Sequence, residues 1–432
     1  MTHNMLPLDP GAKRAILDAC TALRSENTDF LASLVRHRSL LGHEQSCLFA
    51  MESAFSDLGL APFRVEIDVK KLAGHPGFSP PLIDYAGRAP VAALHRPRQT
   101  KGRSLLLQGH VDVVPEGPAE MWTFPPYDPV IKDGWMYGRG AHDMKQGVAA
   151  MVFAMDALRS AGLAPAADVY VQTVTEEECT GNGALSTLAR GYRAEGCLVP
   201  EPTANTITRA HVGVMWFRLR VRGVPVHVGQ AGTGTNAIMS AYTLIQALYG
   251  HTERLNEAAR FHPWYRDVVH PINFNPGVIR GGDWGSSTPA WCEVDCRIGL
   301  MPGTTLEQAR QGVLDCVAAA AKDDPFMANA PPEVIWNGFQ ADGQGKEPGG
   351  ALEGVLSAVH QAVLGAPPRA VATTAVNDTR MYHNYYGIDT ICYGPKGEGA
   401  HAFDERCHLP ELKKTTLIIA GFIADWCGTR PI

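Results

Sequence analysis

A histidine and an aspartate follow an apolar segment of the chain, at the point where a buried strand would end. Residues 104–108 read Ser-Leu-Leu-Leu-Gln and break at Gly109, so His110 and Asp112 emerge together. Residues two apart in an extended segment point the same way. Because a metal-binding imidazole usually donates its other N–H to an acceptor, His110 is a candidate ligand and Asp112 its candidate orienting carboxylate. His-x-Asp is also ordinary turn chemistry, so the pair alone does not establish a metal site.

Three consecutive glutamates, 176–178, follow a second apolar segment, 169–174, and run into a glycine-rich turn. Carboxylates crowded at a strand end repel one another, and a divalent cation relieves that repulsion. One glutamate could then bind the metal while its neighbour, with a raised pKa, acts as a general base. On a surface helix the same triplet would be a solvated face.

Two further carboxylates stand at comparable positions. Asp143 precedes a helical pattern from Met144 to Ala161, and Glu201 lies between two prolines after the apolar segment 196–199. Each has a structural alternative, a helix N-cap for Asp143 and a turn residue for Glu201. His, Asp, Glu and Glu at four such positions in succession along the chain nevertheless favour a common site. Imidazole and carboxylate without thiolate suit a pair of zinc, cobalt or manganese ions.

The apolar segments alternate with helical patterns in the strand, helix, strand order of a doubly wound sheet, after two helices predicted between residues 11 and 60. From about residue 210 the order becomes strand, helix, strand, strand, helix, strand, which is typical of a ferredoxin-like module. A chain of 432 residues usually exceeds one core. We therefore predict an α/β fold with a mixed, doubly wound sheet in a catalytic domain and an inserted ferredoxin-like α+β domain. The catalytic domain would comprise residues 1–209 and 340–432, and the inserted domain residues 210–339.

Composition excludes some partners. The net charge of −6, from 38 basic and 44 acidic residues, gives no basic surface for nucleic acid. We expect no membrane span, because the longest apolar run near the C-terminus, 417–424, is too short to cross a bilayer. We expect no secretory signal, because residues 1–20 have no basic region followed by an apolar core, and the ten cysteines lack Cys-x-x-Cys spacing. Reduced thiols in a cytoplasmic protein are the simplest interpretation.

Taken together, these motifs resemble the co-catalytic metallohydrolase family that includes acetylornithine deacetylase, succinyl-diaminopimelate desuccinylase, aminoacylase and glutamate carboxypeptidase. The resemblance is carried by residues 109–115, 137–145, the glutamate triplet with Gly183, and residues 399–401. It implies two divalent ions, most simply Zn²⁺ with Co²⁺ or Mn²⁺ as alternatives. The implied metal ligands are His110, Asp143 as the bridge, Glu178, Glu201 and His401.

The resemblance also implies catalytic roles. Glu177 would be the general base and Asp112 would support His110. The family usually shows Asp-Glu-Glu where this chain has three glutamates, so a shifted register with Glu176 as the base stays open. The reaction implied is metal-assisted hydrolysis of an N-acyl amino acid by a deacetylase- or desuccinylase-like enzyme. Alternatives are an exopeptidase such as a dipeptidase or carboxypeptidase, a carbamoyl-amidohydrolase, and a non-catalytic binding relative.

In this family the inserted domain is a lid that often dimerises, which implies a homodimer. The histidine of its Gly-x-Pro-x-His motif reaches the partner subunit's site and stabilises the oxyanion, and His227 matches it. Arg297 and Arg380 stand where a substrate carboxylate could be bound by a guanidinium fork, although each could equally form a structural ion pair. Residues 281–289 depart from the family pattern, with Trp284 and hydroxyl residues after Gly-Gly. The acyl-group preference therefore stays open.

Overall fold

A computed structural model describes residues 10–432 of the protein. Three helices occupy the first 50 of these residues, where the sequence predicts two, because the chain breaks at Leu23 between α1 and α2. The α-helices in this part of the chain are α1 Pro10–Ala22, α2 Arg24–Arg36, α3 Gln45–Asp57, α4 Val69–Leu72, α5 Lys145–Ser160, α6 Asn182–Ala189, α7 Ala237–Ala259, α8 Leu306–Lys322, α9 Ala351–Leu364, α10 Thr379–Tyr386 and α11 Leu409–Cys427.

The strands form one large sheet and three smaller ones. They are β1 Phe63–Arg64, β2 Val91–His95, β3 Leu105–His110, β4 Val130–Lys132, β5 Trp135–Tyr137, β6 Leu163–Pro165, β7 Val169–Val174, β8 Gly196–Val199, β9 Ile207–His211, β10 Gly213–Arg222, β11 Phe274–Gly281, β12 Trp291–Leu300, β13 Glu333–Ala341, β14 Gln344–Gly345, β15 Ala370–Thr373, β16 Asp389–Cys392, β17 Gly397–Glu398, β18 Arg406–His408 and β19 Thr429–Pro431.

The large sheet is mixed, with the strand order β1-β2-β7-β3-β8-β16-β9-β14 and with β15 also paired to β9. Its central strands β7, β3, β8 and β16 run parallel, whereas β2 is antiparallel to β7. Every residue of β3 is buried, which is why this strand reads as a continuous apolar run. Parallel strands end at the same edge of a sheet, so the segments after β7, β3 and β8 lie side by side.

Helices cover both faces of this sheet, as the prediction of a doubly wound fold requires. Leu105 and Leu107 belong to the hydrophobic core that includes α5 and α11. Leu106 points the other way, into a second cluster formed with α6 and α10. Because successive side chains in a strand alternate between faces, three leucines in a row serve two cores.

Strands β10 to β13 form a separate antiparallel sheet in the order β11-β12-β10-β13. With α7 and α8 this gives the predicted ferredoxin-like βαββαβ arrangement, and we call these six elements the lid. The lid has its own hydrophobic core, in which Phe217, Leu244 and Val294 are fully buried. The boundaries at residues 209/210 and 339/340 stay a prediction.

A third sheet, in the order β17-β18-β5-β4, ties distant parts of the chain together. Pairing of β18 with β5 places Cys407 opposite Met136. The loop between β17 and β18 is thereby held near the segment that follows β5. Among the helices within residues 10–432, none is both long and apolar enough to cross a membrane.

Candidate metal centre

Three ligand-type side chains from distant parts of the sequence meet at the carboxyl edge of the central strands. His110, Asp143 and Glu178 each offer an atom, and these atoms all lie within 4.8 Å of one another. The His110 Nε2 atom is 3.1 Å from Asp143 Oδ1. His110 ends β3, Glu178 follows the adjacent parallel strand β7, and Asp143 comes immediately before Met144 and α5. The sheet topology therefore brings together what the sequence spacing predicts.

Glu201 and Glu177 complete the buried side of this cluster. Carboxylate oxygens of both lie 3.9 Å from His110 Nε2. The other oxygen of Glu201, Oε1, is buried and has no hydrogen-bond partner within residues 10–432. A buried carboxylate oxygen without a partner is costly unless a cation binds it. The imidazole and carboxylate groups of this cluster therefore fit a divalent metal ion.

His401 approaches the cluster from the opposite side, on the loop between β17 and β18. Its Nε2 atom is 3.1 Å from Glu178 Oε2 and 3.6 Å from Asp143 Oδ2. Asp143 therefore directs one oxygen to His110 and the other to His401. A carboxylate between two imidazoles is the arrangement expected of a bridging ligand.

Asp143 is held by a residue that the sequence analysis did not single out. Glu405 Oε1 accepts hydrogen bonds from the backbone N–H groups of His142 and Asp143, at 2.9 and 3.0 Å. Its other oxygen accepts from Arg139 Nη1 at 2.6 Å. The alternative that Asp143 is a helix N-cap is wrong, because α5 begins after Met144 and has no side-chain cap.

Asp112 supports the site differently from the prediction. The backbone carbonyl oxygen of Asp112, not its carboxylate, contacts His110 Nδ1 at 2.9 Å, while the carboxylate lies 3.7 Å away. The carboxylate instead accepts hydrogen bonds from the backbone N–H groups of Glu177 and Glu178, at 3.4 and 3.0 Å. Asp112 thus orients the imidazole through its main chain and fixes the glutamate turn through its side chain.

Glu176 is occupied by a buried network on the far side of the turn. Its Oε1 accepts from Arg88 Nη2 at 2.6 Å, and its Oε2 accepts from Tyr85 and Thr180 hydroxyls, each at 2.8 Å. Arg88 also binds Glu44. Both oxygens of Glu176 therefore face away from the cluster, and the geometry favours Glu177 over Glu176 in the register that the sequence leaves open.

The carboxyl groups of the cluster differ in the direction of their pKa shifts. Burial raises the pKa of Glu177 well above its ordinary value. The charge of His110 opposes this shift, whereas the charges of Glu201 and Asp378 add to it. Burial acts in the same direction on Asp143, but the hydrogen bond and charge of His110 lower the pKa of Asp143 to about 2. A carboxylate with a low pKa stays ionised as a ligand, and one with a raised pKa suits proton transfer.

A cleft of about 780 Å³ opens from the cluster and runs between the large sheet and the lid. Its volume is in the range of small-molecule sites. Arg297 of β12 lines this cleft, and among residues 10–432 it pairs with no carboxylate. Within the described part of the chain, its guanidinium donates to the backbone carbonyl oxygens of Asn273 and Thr374, both at 3.4 Å.

Arg380 and His227 are not brought to the cleft. The Arg380 guanidinium is fully buried beneath the loop after the glutamate turn, where it donates to the Thr180 carbonyl oxygen at 3.2 Å. We therefore assign it no substrate contact. His227 is exposed on the lid, and its Nδ1 accepts from the Gly229 backbone N–H at 3.1 Å. Its action in a partner subunit's site stays a prediction.

Known proteins resemble this chain over most of its length. The family model "Peptidase family M20/M25/M40" matches residues 106–425. N-formyl-4-amino-5-aminomethyl-2-methylpyrimidine deformylase of Halalkalibacterium halodurans is 29% identical over 364 residues, which are 79% of this chain and 83% of that protein. Succinyl-diaminopimelate desuccinylase of Acidovorax ebreus is 28% identical over 403 residues, or 88% and 93%. The structure of the dipeptidase Dug1p from Saccharomyces cerevisiae superposes with a TM-score of 0.80 at 14% identity, covering 97% of this chain and 99% of that one.

The fold and the buried ligand cluster thus define a metal-dependent hydrolase that acts on amide bonds. The match over residues 106–425 covers well over half of the chain. The protein belongs to the peptidase family M20/M25/M40. This confirms the family resemblance and the class of reaction that the sequence predicts.

Proposed function

We propose that the protein removes the acyl group from an N-acyl amino acid, using two divalent metal ions. The observation that carries this proposal is the convergence of His110, Asp143 and Glu178 beside the buried carboxyl group of Glu177. Two curated relatives with 28 and 29% identity are named as a desuccinylase and a deformylase, and both names describe removal of an acyl group from nitrogen.

The ligands divide into two groups around Asp143. His110 and Glu201 lie on one side, 3.9 Å apart at their nearest atoms, and would hold one ion. His401 and Glu178 lie on the other, 3.1 Å apart, and would hold the second. Asp143 would bridge them. Zinc is the simplest occupant of such a set, with cobalt or manganese as alternatives.

Proton transfer falls to Glu177. Divalent ions held by these residues would lower the pKa of a water molecule and polarise the scissile carbonyl group. The Glu177 carboxylate accepts the proton that the attacking water loses and returns it to the nitrogen of the leaving amine. Glu177 is buried beside His110 and lines the cleft, where a substrate would bind. Asp112 holds the backbone of Glu177 and Glu178 in place during both steps.

The substrate carboxylate would bind Arg297. This arginine is half-buried in the cleft wall and has no anionic partner of its own within residues 10–432. A guanidinium without a carboxylate partner in a partly desolvated cleft favours an anionic ligand. A carboxylate on the leaving amine satisfies that requirement and points to an amino acid.

The second subunit of a homodimer would bind at the lid. Strand β11 is the last strand of the lid sheet within the described residues, so one edge of it is unpaired. Ile279 on β11 and Met239 and Tyr242 on α7 are exposed apolar side chains of the same module. An unpaired edge with exposed apolar residues is a surface that another copy can cover. His227 would then reach the partner subunit's cleft as an oxyanion donor.

Ten free thiols favour a reducing compartment, and we propose the cytoplasm.

A substrate screen with the metal-reconstituted enzyme tests the proposed reaction. We expect kcat/KM for N-acetyl, N-succinyl or N-formyl amino acids to exceed that for dipeptides and N-carbamoyl amino acids. A higher value for dipeptides would replace the proposal with an exopeptidase, which the fold likeness to a dipeptidase keeps as the second candidate. The Glu177→Gln variant, purified in parallel, controls for contaminating hydrolases.

A further inference from the structure

Trp216 and Arg297 are direct neighbours on the lid wall of the cleft. Trp216 lies in β10 and Arg297 in β12, and the antiparallel register places them opposite each other. Both line the cleft. Side chains of such a cross-strand pair lie on the same face, with Cβ atoms about 5 Å apart. An aromatic surface and a cation are therefore presented side by side to whatever occupies the cleft.

The next cross-strand pair on the same face differs from the Trp216–Arg297 pair in net charge. Arg218 is opposite Asp295 and binds it, with Nε 2.6 Å from Oδ1. That pair is neutral overall, whereas Arg297 has no carboxylate partner among residues 10–432. Of these two neighbouring pairs, the one that includes Trp216 is therefore suited to bind an anion.

The position of the Trp216 ring is fixed by its surroundings. The register between β10 and β13 shifts between Met215 and Phe217, so Trp216 lies at a bulge. Bulges commonly re-aim a side chain next to a functional site. The Gln340 side chain donates to the Trp216 carbonyl oxygen at 3.0 Å. Gly338 packs over the ring with a φ of +52°, and a Cβ atom there would lie 2.5 Å from Trp216 Cε3.

An apolar patch surrounds the ring. Phe339 meets Trp216 edge-on, with ring centroids 5.5 Å apart and planes at 84°. Val214 of β10 and Val376 of the loop after β15 pack against the same cluster. All four side chains line the cleft. The patch therefore comes from both the lid and the catalytic domain and closes around one part of the cleft.

We infer that Trp216, Phe339, Val214 and Val376 form the subsite for the side chain of the leaving amino acid, and that this subsite selects aromatic and large aliphatic side chains. The carboxylate of that amino acid binds Arg297, and its side chain packs on the adjacent Trp216. A small or charged side chain would leave the apolar patch uncovered or would be desolvated against it without a partner. This inference rests on the proposed deacylase function and names its substrate class.

A substrate series measures the selection. The series comprises N-acetyl derivatives of phenylalanine, leucine, alanine, glycine and aspartate, assayed with metal-reconstituted enzyme. We expect kcat/KM for phenylalanine and leucine to exceed that for glycine by about tenfold to a hundredfold, as apolar pockets typically discriminate. Trp216→Ala should lower the phenylalanine and leucine values more than the alanine value, so that the ratio between them falls. Trp216→Phe should keep the preference, which separates loss of the ring from loss of the fold.

A matched control removes a tryptophan elsewhere on the same sheet face. Trp291 lies six residues before Arg297 in β12 and does not line the cleft. Trp291→Ala should leave the order of substrates unchanged. If Trp291→Ala and Trp216→Ala alter the order equally, the assigned subsite is wrong.

Product binding provides a second readout that does not need turnover. Calorimetry with the metal-reconstituted enzyme should show tighter binding of L-phenylalanine than of glycine, and weaker binding of phenethylamine, which lacks the carboxylate. Equal affinities for phenylalanine and glycine, or equal hydrolysis of their N-acetyl derivatives, would overturn the subsite while leaving the deacylase. If none of the N-acetyl amino acids is hydrolysed, the proposed function is wrong. The calorimetric affinities for phenylalanine and glycine would then be the test of the subsite.

Discussion

The carboxylate of Asp112 lies 3.0 Å from the backbone nitrogen of Glu178 and accepts its hydrogen. This bond links the loop that follows His110 at the end of β3 to the turn after β7, which carries Glu177 and Glu178. One side chain therefore connects the strand that carries His110, a proposed metal ligand, to the turn that carries the proposed base and another proposed ligand. Burial raises the pKa of Asp112 to about 7, with Glu178 adding to the effect of burial and His110 opposing it.

Substitution of Asp112 by asparagine should loosen this link. The amide offers one acceptor oxygen where the carboxylate offers two, so one of the two backbone N–H groups loses its partner. Changes to groups that orient metal ligands typically cost about tenfold to a hundredfold in metal affinity or activity. Titration of zinc into the metal-free variant, together with kcat at saturating zinc, checks this. Wild-type values for both would show that Asp112 has no positioning role.

Glu177→Gln should reduce kcat by about a hundredfold to ten-thousandfold, which is the contribution typical of a general base. The variant should retain its metal content, because Glu177 is not among the proposed ligands. Metal analysis and steady-state kinetics on the same preparation provide both measurements. Near-normal hydrolysis would remove Glu177 as the base.

Glu176→Gln tests the register from the other side. Arg88 would keep its ion pair with Glu44 in this variant. We therefore expect the free energy of unfolding to fall by about 1–3 kcal/mol, as for loss of a hydrogen bond to a charged group. The pH profile of kcat should keep its shape, since Glu176 faces the Arg88 network and not the cleft. Thermal unfolding and the pH profile are the measurements. A stable variant whose kcat falls as far as that of Glu177→Gln would place the base at Glu176.

Metal binding should release protons at pH 7.5. The charge of Glu178 and its hydrogen bond raise the pKa of His401 to about 9 in the metal-free protein, so the imidazole is protonated at this pH. A ligating imidazole must be neutral, and the metal therefore displaces that proton. Calorimetry in buffers of different ionisation enthalpy counts the protons. His401→Ala should release about one proton fewer, and an unchanged count would mean that His401 does not ligate.

The same pKa shift predicts how the metal-free protein responds to pH. A raised pKa means that the folded state holds the proton more tightly than the unfolded state. The contribution of His401 to stability is then fully present below its ordinary pKa of 6.5 and is lost as the pH rises through about 9. Because 54% of the side chain is exposed, solvent screening makes this contribution small. Unfolding midpoints of wild type and His401→Ala should therefore converge as the pH rises from 6 to 10.

A mixing experiment tests whether His227 acts across a dimer. His227→Ala and Glu177→Gln should each be nearly inactive, but a refolded equimolar mixture should recover about a quarter of wild-type activity, since half of the dimers are mixed and each has one complete site. Size-exclusion chromatography with light scattering establishes the dimer first. A mixture no more active than its parents would contradict action in the partner subunit.

The sequence predicts most of the residues that meet at the proposed metal centre, because several of them follow strands that are neighbours in a parallel sheet. His110, the glutamate triplet and Glu201 are marked by apolar runs before them, and topology then brings them to one edge. The contacts that support the proposed ligands have no comparable signal in the sequence. Glu405 binds Arg139 across 266 positions of the sequence, and no local pattern pairs those two residues. The acidic segment after His401 was the one available signal for Glu405.

Two other differences have the same origin. The main-chain contact of Asp112 with His110 depends on the turn after β3, which the pattern of residue types does not define. Arg380 was a candidate for substrate binding because of its motif, but the packing of α10 under the glutamate turn buries its guanidinium. Motif position thus predicted proximity to the centre and did not predict which way a side chain faces.

The two walls of the cleft come from modules with separate hydrophobic cores. Every proposed ligand and the proposed base lie outside the lid, whereas Trp216 and Arg297 lie on it. Substrate preference can therefore change through substitutions in β10 and β12 that leave the reacting centre intact. For an engineer, the lid strands are the place to diversify, and libraries confined to them should yield new specificities without loss of metal.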